Sequence, residues 1–145
     1  MISKGFAKTV VVIGISAIAF MTWSSLGRPT SIAEARFLRA LSTQDKTGEL
    51  VLGKLMPGSW ETVCDAPGYG GDFYLDQYKR TYPATGDMQH GAWGLVFIEP
   101  DGSFSSASGN CKSSGVMIDL NGCMPRTEAV ARRHGGVGTC PTFGG

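Results

Sequence analysis

The chain has 145 residues, room for one domain, and its 42% hydrophobic and 17% charged residues are the balance of a folded protein. A net charge of +1, without long runs of like charge, leaves no footprint for a nucleic-acid binder. Most of the 21 glycines lie after Gly53, which predicts short elements joined by many turns.

The first element is an uncharged run, Thr9–Leu26, preceded by Lys4 and Lys8. A basic head before an apolar core is the pattern of an export signal, and the run is also long enough to cross a bilayer as a helix. Residues 1–27 are therefore read as a signal peptide or a transmembrane anchor. The basic end would stay in the cytoplasm. The expectation is a single pass in a bacterial inner membrane with the domain facing the periplasm. Ala33-Glu34-Ala35 fits small-x-small cleavage before Arg36, which would give a secreted protein instead. The same residues carry a competing signal. Ser31 and Glu34 form a capping box, and Ile32, Ala35, Leu38 and Leu41 recur at helical spacing beside Phe37. A peptidase needs an extended substrate, so the helix favours a retained anchor. No cysteine follows the run, which argues against a lipid anchor.

Residues 28–57 read as a linker with Pro29, an amphipathic helix from Ile32 to about Ser42, a polar break, and a short strand in LVLGKLMPG. Residues 58–145 read as the domain proper. SWETVC alternates as a strand does. Asp72 can cap a helix over Phe73–Tyr82, which Pro83 ends. Residues 92–109 form the clearest hairpin, turning at Glu99-Pro100-Asp101-Gly102. GVMIDLNG is a further strand. Pro125 starts a helix whose last turn holds Arg132, Arg133 and His134 and which Gly135 closes. GVGTCPTFGG reads as a tail. With no βαβ rhythm, the fold class is α+β: a small antiparallel sheet with two or three short helices, disulfide-stapled and preceded by an N-terminal apolar helix.

The four cysteines all follow the apolar run, and an even count in an exported domain predicts disulfides. Three pairings are possible. The favoured one joins Cys64 to Cys123, tying the strand after Trp60 to the segment before Pro125, and Cys111 to Cys140, pinning the tail. Each bridge would add about 3–4 kcal/mol by loop entropy. No cysteines stand in close pairs and His90 and His134 are distant in sequence, so neither a metal nor a cofactor is expected.

The chemistry-bearing residues are scattered. APGYGGD resembles a phosphate loop, but Asp65 and Asp72 bring negative charge and no G-K-[ST] or G-x-G-x-x-G follows, so a plain turn is the better reading. No G-x-S-x-G occurs. His90, in a polar loop, is the candidate base of a small envelope hydrolase, with an acid from the Asp72–Asp87 region, whereas a carboxylate-pair hydrolase would draw on Glu61, Asp65, Asp72, Asp76 or Asp87. Tyr69, Phe73, Tyr74, Tyr78 and Tyr82 crowd one stretch. Half of such a set is expected to cover the sheet, and the rest to form a contact surface. Tyr69, Tyr74 and Tyr78, with Arg126 as a basic edge, are the candidate binding residues.

Three short motifs, Trp60-Glu-Thr-Val-Cys64, Gly94-Leu-Val-Phe-Ile98 before an Asp-Gly turn, and Gly122-Cys-Met-Pro-Arg126, together resemble a group of small, exported, uncharacterised bacterial proteins. The resemblance covers Trp60 to about Arg133. It implies a compact α+β domain and a bridge between Cys64 and Cys123, and it implies no activity. Cys111 and Cys140 lie outside its pattern. The function expected from all this is a membrane-anchored extracytoplasmic binding or accessory module with a protein partner in the envelope. The rivals are a small hydrolase and, after cleavage, a secreted effector or inhibitor.

Overall fold

A computed structural model describes residues 31–85, 91–137 and 140–145. The apolar run expected to form the N-terminal helix lies outside them, as do Asp87 and His90. The first element described is helix α1 (Ile32–Thr43), whose N-cap Ser31 accepts from the Glu34 amide at 3.0 Å. Its buried stripe is Glu34, Phe37 and Leu41, with Leu38 beside it. That differs from the expected stripe. Phe37, the largest apolar side chain of the helix, takes the central core position, and this rotation leaves Ile32 76% exposed. The Glu34 carboxylate reaches away from the cap to accept from the Ser108 amide at 3.3 Å.

Strand β1 (Glu49–Val51) and a one-turn helix α2 (Leu52–Leu55) follow. Then come β2 (Thr62–Asp65), β3 (Phe73–Leu75), β4 (Arg80–Tyr82), β5 (Ala92–Ile98) and β6 (Phe104–Asn110). A second one-turn helix, α3 (Cys111–Ser114), leads into β7 (Met117–Asp119), β8 (Cys123–Pro125), β9 (Val130–Val137) and β10 (Cys140–Gly144). Sheet A has the order β1-β9-β10-β7, and sheet B has the order β6-β5-β2-β8. Every pairing is antiparallel except β10 with β7. The domain is a mixed α+β fold dominated by strands.

Four expectations are corrected. Phe73–Tyr82 is not a helix but the β3–β4 hairpin, with Lys79 turning it in the left-handed region at φ 49°. Tyr74, Tyr78 and Tyr82 stand four apart, as on a helix face, yet Phe73 and Leu75 alternate inward with Tyr82. Asp72 does not cap a helix; it accepts from the Ala84 amide at 3.2 Å and ties the two ends of the hairpin. The segment after Pro125 makes one short turn and then β9, so Arg132, Arg133 and His134 lie on a strand. The glycine-rich tail is β10, an inner strand of sheet A.

Sheet B is covered on both faces. Val63, Trp93, Leu95, Phe97 and Ala107 point to the main core, where they meet Phe37, Leu41, Leu50, Ile118, Ala131 and Phe143. Cys64, Val96 and Ile98 point the other way and are covered by Tyr82, with Phe73, Leu75 and Tyr78 packed around it. A strand with two covered faces reads as an unbroken apolar run, and β5 is buried throughout. Residues 32–57 belong to the same core, since Phe37, Leu50, Leu52, Leu55 and Met56 all lie in it. Cys64 and Cys123 are bonded directly across β2 and β8, and Cys111 is bonded to Cys140, which joins the end of sheet B to the start of β10.

Candidate functional site

The candidate binding residues do not share one role. Tyr69 and Tyr74 are 59% and 56% exposed on the hairpin side of the molecule. Tyr78 is turned inward: its hydroxyl donates to Glu61 at 2.8 Å and lies 2.9 Å from the Thr62 hydroxyl. Arg126 is not a basic edge. Its guanidinium donates to the carbonyls of Gly58, Trp60 and Gly53 at 2.6, 3.2 and 3.3 Å and lies over the Trp60 ring. It clamps the loop before β2. Among the proposed acids, Asp72 is engaged by Ala84 and Asp76 by Lys79.

A different constellation forms where the ends of β7 and β10 meet the first half of β9. β10 pairs Gly144 with Asp119 on one side and Arg132 on the other. Between Thr142 and Phe143 the register slips, because Thr142 faces Gly135 while Phe143 faces Arg133. His134 is the extra residue of a β-bulge, a device that re-aims a side chain out of the regular alternation. The imidazole lies over Gly144, where a Cβ would stand 2.7 Å from its Cδ2. Glycine at this position is what admits the ring. Asp119, Asn121, Arg132, His134, Gly144 and Gly145 line a cavity of about 550 Å³. The Asp119 carboxylate accepts from the Asn121 amide at 3.1 Å, and Asn121 sits at φ 57°. Glu49 accepts from Arg132 Nε at 2.9 Å, which leaves the Nη groups for a ligand.

Asp65, at the end of β2, stands behind this rim. Partial burial, and then the charge of Asp119, raise its carboxyl to about 7, and the two side chains are hydrogen-bonded. The pair therefore holds a proton at a pH where an exposed Asp or Glu has lost its own. The cleft thus combines a cation, an imidazole and the Asp119 carboxylate, with the titratable Asp65 bonded to it from behind. Asp65 is among the acids that the sequence singles out. Asp119 and His134 are brought to it by the non-local pairing of β7, β10 and β9, which leaves no local signal beyond the Asp-x-Asn-Gly turn.

Among the described residues no three His, Cys, Asp or Glu side chains are placed to hold a metal, and no helix is long and apolar enough to cross a membrane. No protein-family model, curated protein or solved structure matches this chain.

Proposed function

We propose that this chain is a membrane-tethered extracytoplasmic domain that acts by binding, with its ligand seated in the cleft of β7, β9 and β10. The observation that carries this reading is the bulge that turns His134 over Gly144 into a cavity shared with Arg132 and Asp119. A few convergent polar groups in a concave site are the ordinary make-up of a ligand pocket. Arg132 suits an anionic group on a small polar ligand, and Asp119 suits a donor on the same molecule. The tether is supported by Lys4 and Lys8 before the apolar run and by two disulfides. Its retention is supported by Ala33–Ala35, which is helical with Glu34 bonded to Ser108 and so is a poor peptidase substrate. A protein partner in the envelope would meet Tyr69 and Tyr74.

The test is an NMR screen of the full chain against a library of small anionic polar compounds. Binders should shift the amides of Asn121, His134 and Gly144, and Arg132→Ala should abolish those shifts. Binding elsewhere, or binding indifferent to Arg132, overturns the assignment.

A second reading, a small hydrolase, is favoured by one observation: the carboxyl titrating near 7 lies beside the cleft that His134 lines. As general acid, Asp65 would lose its proton above neutrality. Turnover of a model ester or glycoside should then fall as pH rises through about 7 and vanish in Asp65→Asn. A rate that Asp65→Asn leaves unchanged removes this reading.

A further inference from the structure

The inner face of α1 is fully employed: Phe37 and Leu41 are buried in the main core, and Glu34 accepts from Ser108. The outer face is composed differently. Ile32, at 76% the most exposed large hydrophobic among the described residues, is followed at helical spacing by Ala35, Arg36 and Arg39. With Ser31 these residues line a shallow hollow of about 260 Å³. Neither Arg36 nor Arg39 has an ion pair among the described residues. An apolar side chain flanked by two uncompensated guanidinium groups is the composition of a helix face that rests on a lipid interface.

Its place in the chain is the second observation. The uncharged run ends at Leu26, and Arg28 follows. From Leu26 to Ile32 the chain can stretch only about 20 Å. If the run crosses the bilayer, the first turn of α1 is held within that distance of the headgroups. Electrostatic attraction between a basic face and an anionic surface acts over about 8–10 Å at ordinary salt, so a tether this short keeps the arginines close to its range.

Resting on the tethered reading above, we propose that the outer face of α1 docks on anionic phospholipid headgroups of the membrane that holds the tether, with Ile32 inserted and Arg36 and Arg39 on phosphate. The contact fixes the orientation of the whole domain. Because the inner face of α1 is locked to β6 and the core, the helix cannot roll without unfolding. Each arginine should shift the docked-to-undocked ratio by about fivefold, the usual effect of one basic side chain at an anionic surface.

The full chain is placed in lipid nanodiscs of phosphatidylcholine, with or without phosphatidylglycerol, each carrying a nitroxide on the headgroup. Methyl resonances of isoleucine report the result, and Ile98, buried under the hairpin, is the internal control. The proposal expects Ile32 to be broadened in phosphatidylglycerol discs while Ile98 is not. Arg36→Glu with Arg39→Glu should restore the Ile32 signal while the other methyl shifts remain native. Three outcomes overturn it. If the chain elutes apart from the discs, the tether itself fails, and docking fails with it. If the chain elutes with the discs and Ile32 stays sharp, the tether stands and the face looks to water. If Ile32 instead broadens only against a spin-labelled second copy, the face is a contact between protomers.

Discussion

The two faces of sheet B are built on different principles. The main face is a fitted side-chain core: Phe97 lies 5.5 Å from Phe37 and 5.0 Å from Trp60, ring to ring, and Phe37 lies 6.1 Å from Trp93. The other face is thin. It is closed by a two-stranded hairpin, and part of that closure is backbone lying on backbone. The Ala66 amide donates to the Gly94 carbonyl at 2.8 Å, and the Thr85 amide donates to the Ala66 carbonyl at 2.7 Å. These crossings lie directly over Gly94, where a Cβ would stand 2.6 Å from the Ala66 oxygen. Each side of the sheet therefore needs a position without a side chain, but for different reasons: Gly109 on the main face makes room for the Trp93 ring, where a Cβ would stand 2.8 Å from Cζ2, whereas Gly94 makes room for backbone.

The sharpest way to break the main face is Phe97→Ala. Emptying that position should cost about 3–5 kcal/mol, enough to bring a domain of ordinary stability near its unfolding threshold. Urea titration with an unchanged m-value would record it. A loss under 1 kcal/mol would show that Phe37 and Trp60 collapse onto the gap.

The thin face breaks differently. Gly94→Ala adds one methyl against backbone that cannot rotate away, and overpacking of this kind costs roughly 1–3 kcal/mol. The loss should be local. Hydrogen exchange should quicken at Ala66 and Thr85 while the β5–β6 amides keep their protection. Uniform loss of protection would mean that the hairpin layer is not a separate unit.

A titration near neutrality bears on the main side, where Asp65 meets Asp119. The Asp65 carboxyl moves from 3.8 to about 7 on folding, so the folded state holds a proton that the unfolded chain gives up. Its stabilising contribution is present below about 4 and is lost as pH rises to about 7. The melting temperature should fall over that window, and Asp65→Asn should flatten the slope. A profile that Asp65→Asn leaves unchanged would place the pair too near solvent to matter. The smallest effect is expected under the hairpin. Tyr82→Phe removes a hydroxyl that donates to the Gly102 carbonyl at 2.9 Å, but Arg80 donates to the same oxygen at 3.0 Å. About 1 kcal/mol should be lost, since the acceptor keeps a partner.

The difference between the faces also explains what was legible in the sequence. The β5–β6 hairpin shows itself because β5 is one apolar run and the Asp101-Gly102 turn is local. β2 shows itself through simple alternation. The hairpin cover was hidden because its tyrosines happen to be spaced like a helix face. β9 was hidden because Arg132, Arg133 and His134 look like a basic helix end. The last strand was hidden by glycines that read as slack. Gly136 and Gly144 are there for close approach, Gly136 to Cys140 and Pro141 and Gly144 to His134. The candidate site shows the same limit. Its carboxylates, imidazole and guanidinium are all plain in the sequence, but their meeting depends on a bulge and on a parallel pairing that no local pattern encodes.

The pairing of sheet A has one more consequence, in time rather than in space. β1 and β9 bring Glu49 opposite Arg132, whereas β5 and β6 close across the turn at Gly102. Loop closure is slow and costly for distant partners and quick for near ones. The β5–β6 hairpin can therefore form while its partners in sheet A are still unmade. For that interval Trp93, Leu95 and Phe97 present an ordered apolar face with nothing on it. A chain in that state is most open to association with its own kind, and the docking of α1, whose Phe37 packs on Trp93 and Phe97, ends the exposure.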